Sequence, residues 1–325
     1  MKFNVLLLET VHETAMRALL GNENVNLYTS FDQIPKSQHL PLSNMHVIIT
    51  RGKGQVKKDL IEQCPHLKII GRCGVGLDNI DVDMATKYKI KVVNAPNSNA
   101  DTIAEHTLSL ILMLQRNMYQ AITETKTNNW NWRNEYQGDE IKGKKLGIVG
   151  LGNIGTKVAR LALAFGLEVS YWDHKQNYQD FNFIALNTLL KESNIISIHL
   201  PLTKETTDLF NEEKFKLLRP GALLINTARG QIVNENALIN ALDHDQLRGY
   251  AADVLAIEPP YNTNLTSHPK TLITAHLGSL TATTYEKICF ETIKNITALL
   301  NGEATTAGCV FNLKNIASNV SNQKT

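Results

Sequence analysis

Lys144–Asp173, KKLGIVGLGNIGTKVARLALAFGLEVSYWD, decides the fold. Leu146–Val149 is a short apolar run rich in β-formers, and Gly150-Leu151-Gly152-Asn153-Ile154-Gly155 interrupts it where a strand should hand over to a helix. That helix should close at Gly166. The geometry asks for glycine at Gly150 for the tight turn, at Gly152 so that a pyrophosphate can approach the backbone, and at Gly155 so that helix and strand pack closely. Phosphates would sit on the free N–H groups at the positive end of the helix dipole. A second strand then ends at Asp173, 173 − 150 = 23 residues after the first glycine, where a dinucleotide's ribose hydroxyls need an acid. An acid at that place repels the extra phosphate of NADP and so favours NAD, a preference that the neighbouring His174 and Lys175 soften slightly.

A chain of 325 residues is long for a single core, so two domains are expected. A hydrophobic share of 43% and a formal charge of +2 describe a soluble globular protein with no general affinity for nucleic acid or a membrane surface. The apolar start, Phe3–Leu8, is too short for a signal sequence and reads as a buried strand, and no stretch approaches transmembrane length. Cys64, Cys73, Cys289 and Cys309 are scattered without CxxC spacing. This argues against a metal or redox site and fits reduced thiols in the cytoplasm. The polar tail from Asn312 to Thr325 is expected to fray.

Strand and helix patterns alternate from residue 1 to about 98, with glycine loops at Arg51-Gly52-Lys53-Gly54 and Cys73-Gly74-Val75-Gly76. Ala95–Asn99 is a turn-rich linker and the place for a hinge, followed by an amphipathic helix over Ala100–Gln115. The polar segment 125–144 carries Trp130, Trp132 and Tyr136, a candidate oligomer contact set against ordinary packing. After Asp173 the alternation resumes, and a helix near Thr283–Leu300 carries the chain back to the first domain. The predicted fold is α/β: two Rossmann-like/flavodoxin-like domains, with an NAD-binding domain (99–287) inserted into a discontinuous substrate-binding domain (1–98 plus 288–325).

Asp173, Arg229, Asp253, Glu258 and His276 each fall at or just past the carboxyl end of a predicted strand, the edge where ligands bind in an open α/β sheet. Arg229, followed by Gly230, has the fork geometry that suits a carboxylate held bidentately, although an ion pair closing the sheet end would look the same. His276 is the natural proton carrier, against the plain alternative of a solvated ring. Glu258 is a plausible partner that would orient this ring and raise its pKa, against the alternative of a loop acid beside Pro259-Pro260.

These residues lie within motifs that resemble the D-isomer-specific 2-hydroxyacid dehydrogenases, and most closely their phosphoglycerate branch. The motifs run in order: GRCGVGLDNID at Gly71–Asp81, NAPNSNADTIAEH at Asn94–His106, GLGNIG at Gly150–Gly155, HLPLTKET at His199–Thr206, INTARGQIVNE at Ile225–Glu235, DVLAIEPP at Asp253–Pro260 and AHLGS at Ala275–Ser279. The resemblance implies that Arg229 holds the carboxylate and carbonyl of a 2-oxo acid, that His276 exchanges the proton as hydride moves, and that Glu258 sets the pKa of the histidine. It places Asn153-Ile154 at the pyrophosphate, Asp173 at the adenosine ribose and Asp253 at the nicotinamide carboxamide, with Leu200, Thr227, Ala228, His276 and Gly278 completing the cofactor site.

On the substrate side it implies backbone N–H groups at Gly74-Val75-Gly76, with Asn99, and closure of the domains over the substrate. The family's phosphate loop reads Arg-Ser with a threonine shortly after, whereas this chain has Arg51-Gly52-Lys53-Gly54; Arg51 and Arg72 stay as phosphate candidates and Lys53 adds a cation. The implied reaction is NAD-dependent oxidation of D-3-phosphoglycerate to 3-phosphohydroxypyruvate in serine synthesis, by a homodimer. A reductase of glyoxylate, hydroxypyruvate or another small 2-oxo acid is the second reading, and a nicotinamide-sensing binding protein the third. The chain ends soon after the returning helix, so feedback by serine through an added regulatory domain is not expected.

Overall fold

The short apolar runs of the sequence become parallel strands buried on both faces, as parallel sheets covered by helices require. A computed structural model describes residues 2–31, 41–174, 180–260 and 264–321. Lys175, named above beside Asp173, lies outside them. The chain forms two compact units, Met1–Asn99 with Leu280–Thr325, and Ala100–Ser279.

The first unit begins with β1 (Phe3–Leu7), α1 (Glu13–Leu20), β2 (Val25–Thr29), β3 (Val47–Thr50), α2 (Lys58–Glu62), β4 (Ile69–Arg72), α3 (Val82–Lys87) and β5 (Lys91–Val93). Its five strands pair in parallel in the order β2-β1-β3-β4-β5, so the winding reverses between β1 and β3. Alternate side chains feed two cores, Val5, Leu7, Val47 and Ile49 on one face, Leu6, Ile48, Ile70 and Val92 on the other.

The second unit contains α4 (Ala100–Gln115), α5 (Met118–Lys126), β6 (Lys145–Val149), α6 (Asn153–Ala164), β7 (Glu168–Trp172), β8 (Asn182–Phe183), α7 (Leu186–Glu192), β9 (Ile195–Ile198), α8 (Glu212–Leu217), β10 (Ala222–Asn226), α9 (Glu235–Asp243), β11 (Leu247–Ala252) and β12 (Thr271–Ile273). These seven strands are parallel and ordered β12-β11-β10-β9-β6-β7-β8, with the winding reversed between β6 and β9. Among these elements α5 and β8 were not expected: β8 is too short to show a period, and α5 buries none of its residues.

The chain returns to the first unit at Leu280, ahead of the 287/288 boundary expected, because α10 (Ala282–Asn301) packs its early turns there as well. Ile288, Cys289, Ile293 and Ile296 join the core that contains Val5 and Val47. A Cβ on Gly71 of β4 would lie 2.3 Å from Ile296 Cδ1, so that glycine lets α10 settle on the sheet.

The expected fraying from Asn312 to Thr325 is corrected at its start, while residues 322–325 lie outside those described. Asn312 is fully buried: its Oδ1 accepts the Val92 N–H at 2.9 Å, and its Nδ2 donates to Ile90 O and Thr86 Oγ1, both at 2.9 Å. Val310 bridges Val93, and α11 (Leu313–Ser321) follows. The tail thus covers the edge of β5, whose amides would otherwise lack partners. All four cysteines are buried and free. No helix among the described residues is long and apolar enough to cross a membrane.

Candidate active site

The glycine loop between β6 and α6 meets each steric demand read from the sequence. Gly150 has φ +99°, and a Cβ there would lie 2.8 Å from the His199 carbonyl oxygen. A Cβ on Gly155 would lie 2.1 Å from Gly150 O, which brings α6 close against the strand end, whereas one on Gly152 would meet nothing within 4 Å. The backbone is therefore open at the residue that caps α6, where the N-terminal end of the helix and its dipole favour an anion. Asp173 follows β7 directly and accepts the Leu151 N–H at 2.8 Å, so the acid also braces the loop. This set fits a dinucleotide: a helix N-terminus that a pyrophosphate can approach over Gly152, and a carboxylate one strand away for a ribose. His199, which sequence reasoning passed over as a site, faces the loop from the end of β9. Burial pushes its imidazole down to about 3, and its Nε2 lies 2.9 Å from Ser197 Oγ, so it packs there as a neutral ring.

Arg229 leaves β10 on a turn held from within. The buried Asn226 accepts the Ala228 N–H through Oδ1 at 3.0 Å and donates through Nδ2 to Arg229 O at 2.9 Å. A Cβ on Gly230 would lie 2.0 Å from the Leu255 carbonyl carbon, and Gln231 Nε2 donates to Ala256 O at 2.8 Å. The Arg229 turn therefore lies against the segment that leads to Glu258.

Glu258 and His276, far apart in sequence, form the pair that their placement suggested: His276 Nδ1 lies 2.6 Å from Glu258 Oε2, and Glu258 Oε1 accepts the Leu255 N–H at 2.9 Å. Burial raises the Glu258 carboxyl, but the hydrogen bond to His276 and the Leu255 amide outweigh it and hold the group below its ordinary value. Both side chains stay partly exposed.

His276 itself has φ +51°, a left-handed backbone that a β-carbon disfavours, and Asp253 holds it there. Asp253 is 2% exposed; Oδ1 accepts from Thr274 Oγ1 at 2.6 Å and Leu277 N at 2.9 Å, and Oδ2 from Gly278 N at 2.7 Å. Burial pushes this carboxyl up, yet His106, Thr274 and the two amides bring it below its usual value. His106 Nε2 lies 3.1 Å from Thr274 Oγ1, and the adjacent Thr107 shares a 2.9 Å hydrogen bond with Thr227. Helix α4 thus braces the turns after β10 and β12 with two consecutive side chains that sequence reasoning did not single out. The amphipathic pattern of α4 gives these two no mark of their own, since Asp101, Thr102, Glu105 and Ser109 are polar neighbours on the same helix.

The expected substrate residues of the first unit lie at or after the ends of β3 and β4, except Asn99, which follows β5. Arg51 Nη1 donates to Tyr285 OH at 3.0 Å, and its guanidinium carbon stands 5.2 Å from that ring's centroid. Lys53 is exposed. Arg72 folds over Gly74, where a Cβ would fall 1.1 Å from Nη1. Gly74 O accepts the Ala95 N–H at 3.0 Å and Val75 O accepts Asn94 Nδ2 at 2.8 Å, which fixes the Gly74-Val75-Gly76 loop; Asn99 is half-buried at the end of this stretch.

Residues 108–278 match the D-isomer specific 2-hydroxyacid dehydrogenase, NAD binding domain. The chain belongs to this family. The matched residues include the glycine loop, Arg229, Glu258 and His276. A D-3-phosphoglycerate dehydrogenase of Bacillus subtilis (strain 168) is 42% identical over 245 residues, 74% of this chain and 46% of its own length. The chain therefore spans about half the length of that relative. A glyoxylate reductase of Thermococcus litoralis is 34% identical over 315 residues, 93% of this chain and 95% of that one. The crystal structure of D-lactate dehydrogenase from Aquifex aeolicus, complexed with NAD and lactic acid, superposes with a TM-score of 0.83 at 30% identity, over 92% of this chain and 96% of that one.

Proposed function

We propose that this protein oxidises D-3-phosphoglycerate to 3-phosphohydroxypyruvate with NAD. The 2.6 Å pair of His276 and Glu258, on the edge that also carries Arg229, supports the reaction class best. With Nδ1 turned to a carboxylate, Nε2 is the nitrogen left to take the hydroxyl proton of the substrate. The Glu258 carboxylate balances the imidazolium that forms, and keeps the ring in one orientation. Arg229 clamps the substrate carboxylate and the adjoining oxygen with its fork. Bound NAD supplies the hydride acceptor. In this reading the second unit is the NAD-binding domain, and Asn153, Ile154, Asp173, Leu200, Thr227, Ala228 and Gly278 contact the cofactor. The first unit is the substrate-binding domain, with Gly74, Val75, Gly76 and Asn99 among its substrate residues.

Arg51, Lys53 and Arg72 favour a phosphorylated substrate, as does the phosphoglycerate dehydrogenase at 42% identity. A small unphosphorylated 2-oxo acid such as glyoxylate is the second reading, favoured by the engagement of Arg51 with Tyr285 and by the match to glyoxylate reductase along nearly its whole length. NADH absorbance with purified protein separates them. We expect turnover of 3-phosphoglycerate with NAD and of phosphohydroxypyruvate with NADH, at kcat/KM well above that for hydroxypyruvate and glyoxylate. The opposite preference replaces the substrate and keeps the reaction, while silence on all four turns the reading to another 2-oxo acid or to a nicotinamide-sensing protein.

We also propose that the protein is a homodimer. Helix α5 buries no residue, exposing Met118, Tyr119 and Ile122, and Trp130 just beyond it is 68% exposed. Apolar side chains gathered in one short segment are what an interface covers. Light scattering should give twice the chain mass, and Trp130→Glu should shift it towards the monomer; a monomeric wild type ends this proposal.

A further inference from the structure

Glu9 stands just past the end of β1, and its carboxylate gathers the backbone of the loop after β3. Oε2 accepts N–H groups from Arg51 at 2.7 Å, Gly52 at 2.7 Å and Gly54 at 3.0 Å, and Oε1 accepts that of Lys53 at 3.0 Å. Thr50 Oγ1 lies 2.9 Å from Oε2, and Asn79 Nδ2 closes the loop by donating to Gly54 O at 2.7 Å. Successive amides converging on one anion form a nest, the device by which backbones hold phosphates and carboxylates. Here an acid of the same chain fills it. Burial raises the Glu9 carboxyl, but the amides of Gly52, Gly54, Arg51 and Lys53 outweigh it and bring it down to about 2, so Glu9 stays ionised at neutral pH.

The place matters as much as the bonds. The winding of the first sheet reverses between β1 and β3, and the crevice at the carboxyl ends of such a strand pair is where open α/β sheets bind ligands. The carboxyl ends of β1 and β3 carry Glu9 and the Arg51–Gly54 loop. Arg72 joins them, since a Cβ on Gly52 would lie 3.9 Å from its Nη2.

We propose that Glu9 is a positioning residue for substrate selection: by filling the amide nest it fixes the Arg51–Gly54 loop, so that the far end of the substrate meets the side chains of Arg51, Lys53 and Arg72 instead of backbone N–H groups. This rests on the reading of those three cations as substrate contacts. Glutamine in place of Glu9 has the same shape but sets a neutral amide among four converging donors, which frees the loop without opening a cavity.

The wild-type protein is tested first with phosphorylated and unphosphorylated acids, so that failure of the phosphate reading is recorded before any variant is made. With whichever acid is preferred, Glu9→Gln should raise KM about tenfold and leave kcat and the NADH dissociation constant within about twofold. Glu9→Asp, which keeps the charge on a shorter arm, should recover most of the loss. In Glu9→Ala the nest is emptied, and added formate should lower the raised KM. Wild-type KM in Glu9→Gln overturns the proposal, as does an equal loss of kcat and NADH binding, or a raised KM that neither aspartate nor formate improves. Lys53→Ala, at an exposed side chain that leaves folding alone, decides the matter if the Glu9 variants do not fold: KM should rise, and an unchanged value overturns the proposal equally.

Discussion

His276→Ala should lower kcat by about a thousandfold while the NADH dissociation constant stays within about twofold of wild type, because a positioned general base contributes roughly 10²–10⁴ to a rate. The His276 ring has the Glu258 carboxylate behind it and stays partly exposed, whereas His106 turns its Nε2 to Thr274 and Asp253 inside the fold and His199 is buried beside Ser197. The substitution removes the ring and leaves its support, since Asp253 holds the turn through Thr274, Leu277 and Gly278 rather than through the imidazole. Alanine keeps the β-carbon that histidine already carries at φ +51°, so the substitution adds little backbone strain. Steady-state kinetics with a fluorescence titration of NADH separates the two effects. A kcat within tenfold of wild type would place the proton carrier elsewhere.

Arg229→Lys should lower kcat/KM by about a hundredfold, with KM raised and kcat reduced together, since a fork that holds two oxygens is replaced by a point charge that holds one. The loss should come from the side chain alone. Asn226 and the close approach of Gly230 to Leu255 hold the turn whatever stands at position 229, and the Gly150–Gly155 loop does not depend on it. NADH affinity is thus the internal control, and wild-type kinetics with the preferred acid would assign the carboxylate clamp to another residue.

Both residues are legible in the amino-acid sequence, though for different reasons than their surroundings. Short apolar runs broken by Gly150, Gly166 and Gly221 declare alternating strands and helices, because strand length and a glycine's backbone freedom are local properties. Once the strands are known, their carboxyl ends follow, and with them Arg229, Glu258 and His276 as candidates at one edge. The order of the motifs suggests a role for each. The two-residue β8 and the polar helix α5 had no such local mark.

Partnerships between distant polar side chains were decided by the tertiary structure. Glu9 meets the Arg51–Gly54 amides only because β1 lies beside β3, and Asp253 meets the Thr274–Gly278 turn because β11 lies beside β12. Asn312 is buried because it finds Ile90 and Val92 at the sheet edge, and His106 reads as an ordinary helix residue until Thr274 and Asp253 stand beside it. The sequence by itself determined the parallel α/β architecture, the glycine loop and the placing of three candidate residues, Arg229, Glu258 and His276, at strand ends, all consequences of local backbone and side-chain chemistry. Which acid braces which turn depended on strand order, since a hydrogen bond reaches only about 3 Å and only the assembled sheet brings its two ends that close.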